Sequence, residues 1–145
     1  MAVTGKLYGK MFLALFNKEI DWLDDSVKCM LTTVTYVPDQ DVHDYKDDVT
    51  NEVVGAGYTA TGNALTGKTI TYTGATNKVS LDCDDIVWTT ATITARVAVF
   101  YDATPGSDAT RPLICYQLSD TDVISTAGTF TVQINASGLV EITVG

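Results

Sequence analysis

The stretch Thr92-Ile93-Thr94-Ala95-Arg96-Val97-Ala98-Val99-Phe100-Tyr101 decides the fold class of this chain. In its first half, threonine and arginine alternate with apolar residues, which is the period-2 pattern of a half-buried β-strand. One face of this strand is predicted to carry Ile93, Ala95, Val97, Val99 and Tyr101. Ala98 and Phe100 make the opposite face apolar as well, so we predict a central strand that is covered on both sides.

Shorter runs rich in β-branched and aromatic residues lie on both sides of this stretch, separated by Gly, Asn, Pro and Asp. The former favour strands and the latter favour turns. The predicted strands are residues 27–36, 52–59, 69–73, 78–83, 85–88 and 113–118. Near the C-terminus, residues 129–134 and 140–144 alternate on either side of Asn135-Ala136-Ser137-Gly138, which predicts a β-hairpin.

About eight or nine short strands of this kind indicate a mainly β fold. An open sheet of that size would leave one apolar face in water, so we predict a two-sheet antiparallel β-sandwich, jelly-roll-like in character. The 145 residues suit a single domain, residues 1–145. With 46% hydrophobic residues, the chain has enough apolar material for a core.

Residues 1–20 follow a different pattern and are predicted to form a helical or anchoring segment. Leu7, Met11 and Leu15 recur at helical spacing, with Phe12 and Phe16 beside them. Because so short a helix is marginal alone, it must pack on the sandwich or on another chain, and the sequence leaves both open. A second helical turn is predicted within residues 42–49.

Charge and cysteine content exclude several classes of partner. Eighteen acidic and nine basic residues give a formal net charge of -9, which opposes binding to nucleic acid and to anionic membranes. The apolar run at residues 11–16 is too short for a secretion signal or a membrane-spanning helix, so we expect synthesis in a cytoplasm. An odd count of widely spaced cysteines predicts three reduced, buried thiols: Cys29, Cys83 and Cys115.

Motifs for catalysis or cofactor binding are not found in the sequence. The acidic stretches at residues 39–52 and 82–85 lack the spacing of a calcium loop; whether either binds a metal stays open. His43 is the single histidine, and no GxSxG motif accompanies it. Gly55-Ala56-Gly57 does not complete a phosphate-binding signature. We therefore predict no catalytic residue, no cofactor and no enzyme activity.

Aromatic residues offer one alternative function. A sugar-binding platform needs exposed rings on which a carbohydrate can stack, and five rings are candidates: Trp22, Tyr58, Tyr72, Trp88 and Tyr116. Each lies in or beside an alternating run, so packing within the sandwich is the more ordinary role.

Taken together, the order of segments resembles a family of small virion structural proteins encoded by tailed bacteriophages. The resemblance covers nearly the whole chain and is carried by these segments: Leu7-Tyr8-Gly9-Lys10, Lys18-Glu19-Ile20-Asp21-Trp22, Val27-Lys28-Cys29-Met30-Leu31, Asp41-Val42-His43-Asp44-Tyr45, Glu52-Val53-Val54-Gly55-Ala56-Gly57-Tyr58-Thr59, Asp85-Ile86-Val87-Trp88, Ile93-Thr94-Ala95-Arg96 and Gly128-Thr129-Phe130-Thr131-Val132.

This resemblance implies a capsid decoration (cement) protein, located on the virion surface, that binds the major capsid protein and ties neighbouring subunits together. It also implies a homo-oligomer, with a trimer favoured. The candidate partner contacts come from the N-terminal segment and from the loop at residues 103–111: Leu7, Met11, Phe12, Phe16 and Arg111. The alternative is a head-fibre or tail-associated virion protein with a carbohydrate-binding module for the host surface.

Overall fold

The computed structural model describes residues 2–145 and has a mainly β architecture with two antiparallel sheets and one short α-helix. The two-sheet antiparallel fold predicted from the sequence is therefore confirmed. The elements are β1 (Val3–Leu7), α1 (Met11–Phe16), β2 (Val27–Thr32), β3 (Asn63–Ala64), β4 (Thr69–Thr73), β5 (Lys78–Asp82), β6 (Ile86–Asp102), β7 (Leu113–Val132) and β8 (Val140–Thr143). Single 3-10 turns occur at Lys46–Asp48, inside the predicted helical stretch 42–49, and at Asp108–Thr110.

The larger sheet has five strands in the order β1-β7-β6-β2-β3, and the smaller has three in the order β4-β5-β8. Two long strands, β6 and β7, pair along most of their lengths and form the centre of the larger sheet. They absorb four of the predicted runs, because no turn interrupts the chain within residues 86–102 or within residues 113–132. The prediction that residues 92–101 lie in a central strand is confirmed, since β6 lies between β7 and β2.

A β-bulge at Arg96 divides β6 into two halves. Ala95 pairs with Val123, whereas Val97 pairs with Leu118, so β7 has four residues opposite the single residue Arg96, an excess of three. Such an irregularity shifts the alternation of side chains between the two faces. The predicted single apolar face from Ile93 to Tyr101 is therefore wrong: Ile93 and Ala95 join one core, and Val97, Val99 and Tyr101 join another.

The two cores lie on opposite faces of the larger sheet. The first core contains residues of both sheets, including Leu81 of β5, Phe100 of β6 and Val140 of β8, so it joins the sheets into a sandwich. The second core contains Tyr8, Val99 and Tyr101, and the loop after β2 covers it through Tyr36 and Val49. The central strand is thus apolar on both faces because both faces are covered.

The N-terminal helix is shorter than the sequence pattern predicts. Leu7 is the last residue of β1 and pairs with Cys115, and the amide of Tyr8 still donates to the Ile114 carbonyl at 3.2 Å. The helix begins only at Met11. Residues 3–7 form a strand and not a helix because the edge of β7 provides partners for their backbone hydrogen bonds.

Two other predicted strand pairings are wrong. β8 does not pair with β7 as a hairpin; it pairs with β5, with Val79 opposite Ile142. Residues 135–138 do form a turn, but it carries the chain from the larger sheet to the smaller one. Residues 52–59 are not a strand. They form single bridges to the larger sheet at Glu52 and Ala56, and the Val53 amide donates to the Leu31 carbonyl of β2 at 2.9 Å.

Gly62 marks the return of this connecting segment to β2. Its φ of 79° lies in the left-handed region, and a Cβ at this position would overlap the carbonyl of Cys29. Only glycine allows the backbone to approach β2 this closely. Cys29 itself, like Cys83 and Cys115, is buried and forms no disulfide, so the predicted burial of the three cysteines is confirmed.

Candidate functional site

Helix α1 has one buried side and one exposed side. Met11 and Ala14 point into the first core, and Met11 is only 2% exposed. Leu13 and Phe16 lie on the other side, where they are 64% and 82% exposed. We call Leu13 and Phe16 the apolar face of α1.

The helix is held firmly at both ends. The amide of Ala14 donates to the Lys10 carbonyl at 3.1 Å, and the amide of Glu19 donates back to the Ala14 carbonyl at 2.9 Å. Lys18 adopts a φ of 62°, the left-handed conformation that ends many helices. Because Met11 and Ala14 are buried and both ends are hydrogen-bonded, the apolar face is presented on an ordered element.

The surroundings of the apolar face are charged. A hollow of about 150 Å³ lies between Leu13 and the acidic stretch at residues 39–52. On its rim, the Lys10 ammonium lies 3.2 Å from the Asp44 carboxylate. The Tyr45 hydroxyl donates to the Glu19 carboxylate at 3.0 Å, and this hydrogen bond raises the pKa of Tyr45. An apolar centre with a polar rim is the usual anatomy of a protein-binding surface.

The structure places the predicted contact residues in different environments. Phe16 is exposed, whereas Leu7 and Phe12 are half-buried against the first core. Met11 fills the core and presents no surface, so its assignment as a partner contact is corrected to core packing, because the helix turns that side chain inward. Arg111 donates to the Asp108 carboxylate and to the Pro105 carbonyl, both at 2.8 Å, and so holds its own loop together.

Sequence reasoning missed Leu13. The signal was available, because Leu13 and Phe16 are three residues apart and therefore share one helix face. The predicted helix is defined by Leu7, Met11 and Leu15, and Met11 lies on the side of α1 that is buried in the structure. Leu15 is exposed but less than Leu13 or Phe16.

The acidic stretch at residues 39–52 uses its carboxylates to hold backbone turns. Asp39 accepts the amides of Asp41 and Val42 at 2.9 and 3.1 Å. Asp48 accepts the amide of Asp44 at 2.9 Å. These carboxylates bind separate amides and do not converge on one point.

The second acidic cluster, residues 82–85, behaves in the same way. Asp84 accepts the Thr66 hydroxyl at 2.8 Å, and Asp85 accepts the Ile134 amide at 2.7 Å. Within residues 2–145, no three side chains of His, Cys, Asp or Glu are grouped so as to hold a metal ion.

His43 belongs to a chain of hydrogen bonds with two tyrosines. Its Nδ1 lies 3.0 Å from the Tyr36 hydroxyl, which in turn lies 2.9 Å from the hydroxyl of the buried Tyr8. The His43 ring also stacks on Tyr36, with ring centroids 5.6 Å apart. This network fastens the loop after β2 to the start of the chain, and burial raises the pKa of Tyr36 to about 12.

The proposed sugar platform is largely inside the protein. Trp22, Trp88 and Tyr116 are buried, and Tyr58 is half-buried with its hydroxyl bound to Glu52 at 2.8 Å. Tyr72 on β4 is exposed. One exposed ring gives a carbohydrate a single stacking surface.

A groove of about 630 Å³ opens between the two sheets. Its walls come from β1, β6 and β7 on one side and from residues 138–141 on the other. The lining mixes apolar side chains such as Leu7 and Val132 with the polar Gln117 and Gln133. The groove exists because the three-stranded sheet is narrower than the five-stranded sheet that it covers.

In residues 2–145, the structure contains no helix that is long and apolar enough to cross a membrane. Comparisons of the chain with protein-family models, with curated proteins and with solved structures gave no match.

Proposed function

We propose that this protein is a bacteriophage capsid decoration protein that binds the outside of the assembled head and stabilises contacts between major capsid subunits. The resemblance to small virion proteins supplies the class of partner. The observation that carries the proposal is the apolar face of α1, in which Leu13 and Phe16 are exposed on a helix whose other side is anchored in the core.

Energetics favour a protein partner for this face. Full burial of a Leu or Phe side chain contributes roughly 1.5–3 kcal/mol. Because α1 is already ordered, little conformational entropy is lost when a partner covers it. Aromatic side chains on a rigid element are typical of the few residues that dominate binding energy.

The remaining surface suits a protein present in many copies on one particle. The net charge of -9 suppresses self-association until binding to a partner offsets it. The loop at residues 103–111, braced by Arg111, extends from the end of β6 and provides a second contact region. We further propose that the protein acts as a homo-oligomer, with a trimer favoured by its resemblance to virion proteins.

Binding to heads that lack the protein tests this proposal. The double variant Leu13→Ser/Phe16→Ser is expected to bind about a hundredfold or more weaker, since two side chains worth roughly 1.5–3 kcal/mol each are lost. The measurement is the number of copies that cosediment with purified heads. Val54→Ser is the matched control, because Val54 is an exposed apolar residue that does not belong to α1.

Unchanged binding of the double variant contradicts the role of α1. A cryo-EM map of the virion tests the location of the protein independently. Density on the outer surface of the head supports the decoration role. Density confined to the tail contradicts it and favours the head-fibre or tail alternative with a host-surface carbohydrate ligand.

A further inference from the structure

Asp102 is the last residue of β6. Its carboxyl group is buried, and one of the two carboxyl oxygens accepts no hydrogen bond within residues 2–145. The side chain is 0% exposed. Its Oδ1 accepts the amide of Thr104 at 2.8 Å, whereas its Oδ2 has no donor among the described residues. A buried carboxylate oxygen without a donor is costly, so the structure must compensate for it or the group must carry a proton.

The neighbour of this oxygen is a second carboxyl group, that of Asp25. Asp102 pairs with Val27 across the sheet, and the amide of Ala103 donates to the Ser26 carbonyl at 2.8 Å. These pairings bring Asp25, the residue before Ser26, next to the end of β6. This places the carboxyl groups of Asp25 and Asp102 next to each other, so that a proton on one of them allows a hydrogen bond to the other.

Two carboxyl groups in contact form a hydrogen bond only when one of them is protonated. The environments of the two groups are unequal. Asp25 is half-buried, accepts the Asp21 amide at 2.6 Å and lies next to Lys68, whose ammonium donates to the Asp25 carbonyl. Asp102 is fully buried with neutral Thr104 beside it. The proton therefore belongs on Asp102 and the negative charge on Asp25.

The other acidic groups near the pair come from the same turn, and the neighbouring cation comes from another connection. The Asp21 carboxylate faces this turn and accepts the amides of Leu23 and Asp24, both at 3.2 Å. Asp24 is exposed. Lys68 comes from the connection between β3 and β4. The Lys68 ammonium thus stabilises the negative charge on Asp25. The acidic residues of the turn disfavour a second negative charge on Asp102.

We infer that Asp25 and Asp102 share one proton and form a pH-sensitive latch that fastens the turn at residues 21–26 to the end of β6. In the protonated state, the Asp102 hydroxyl donates to the Asp25 carboxylate. When that proton is lost, two carboxylates face each other and the latch is weakened.

The direction of the pH dependence follows from the two groups. Burial, together with the hydrogen bond to Asp25, raises the pKa of Asp102 to about 6. The same hydrogen bond from Asp102 lowers the pKa of Asp25. Because the folded state holds the Asp102 proton more tightly than the unfolded state, this contribution to stability is fully present below about pH 4. It is lost as the pH rises through about 6.

The substitution Asp102→Asn tests the latch, because an amide is close in shape to a carboxyl group and donates to Asp25 at every pH. Wild-type protein is expected to lose on the order of a hundredfold in its folding equilibrium, through this group, between pH 4 and pH 8. The variant is expected to lack this component and to be more stable than wild type at pH 8. Denaturant unfolding across the pH range measures both.

Asp24→Asn is the matched control, since Asp24 lies in the same turn and is exposed. It is expected to keep the wild-type pH dependence. Parallel pH profiles for wild type and Asp102→Asn contradict the latch. Stabilisation of wild type by calcium ions alone at pH 8, absent in the variant, also overturns the inference, because the pair would then be a cation site.

A measurement on unmodified protein keeps the inference testable if Asp102→Asn does not fold. The carbon chemical shift of the Asp102 carboxyl group, followed by NMR, reports its titration directly. A midpoint near pH 6 supports the shared proton, and a midpoint below pH 4.5 excludes it. This readout does not depend on any capsid, so it is independent of the proposed function.

Discussion

Two apolar runs in this molecule, residues 97–101 in β6 and residues 11–16 in α1, are similar in composition and differ in their surroundings. Every residue of the first run is buried, because β6 has a neighbouring strand on each side and a hydrophobic core against each face of the sheet. In the second run, Met11 and Ala14 are buried and Leu13 and Phe16 are exposed. Apolar composition therefore identifies material for burial, whereas the neighbouring elements decide which residues remain available to a partner.

Removal of residues 1–16 is the strongest test of this difference. The deletion takes away the fully buried Tyr8, the core residue Met11 and the strand that covers the edge of β7. Loss of two such side chains is worth roughly 5–10 kcal/mol, comparable to the whole stability of a domain. We expect the truncated chain to be unfolded or strongly destabilised in circular dichroism and urea titration.

A truncated chain that unfolds with the cooperativity and midpoint of the full chain contradicts this expectation. It would mean that β1 and α1 are an attachment to a sandwich that is stable alone. Binding assays cannot use this truncation, because a loss of binding and a loss of folding coincide.

Substitution of Met11 by Ala isolates the buried side of α1. The expected loss is about 2–5 kcal/mol, because a fully buried side chain is replaced by a cavity in the first core. Urea unfolding measures it as a lower midpoint at constant slope. A change below about 0.5 kcal/mol, the range of ordinary surface substitutions, would place α1 outside the core.

Local pattern predicted the centre of this fold better than its edges. The alternation from Ile93 onward identified a strand, and the apolar residues Ala98 and Phe100 on its second face identified it as central. It did not predict the bulge at Arg96, which depends on the three additional residues in β7. Nor did it predict that β8 pairs with β5, because alternation defines a strand and its faces but does not specify a partner.

The same limit applies to the candidate site. Helical spacing found α1, but the choice between Leu13 and Met11 as the exposed residue depends on where the sheet lies. The spacing of Leu7 from Met11 and Leu15 predicts a helix, whereas in the structure Leu7 pairs with Cys115 at the edge of β7 and belongs to a strand. The contact between Asp25 and Asp102 joins residues 77 positions apart, so no local pattern reports it.

The smallest expected change in stability is that of Phe16→Ser. Phe16 is highly exposed, so its removal is expected to alter the free energy of unfolding by no more than about 0.5 kcal/mol. Phe12→Ser is the matched control on the same helix, since Phe12 packs partly against the first core and its loss is expected to cost at least 1 kcal/mol more. Urea unfolding of both variants compares the two sides of α1 directly. Equal losses would mean that Phe16 is also covered in solution, and the apolar face would then be unavailable to a capsid.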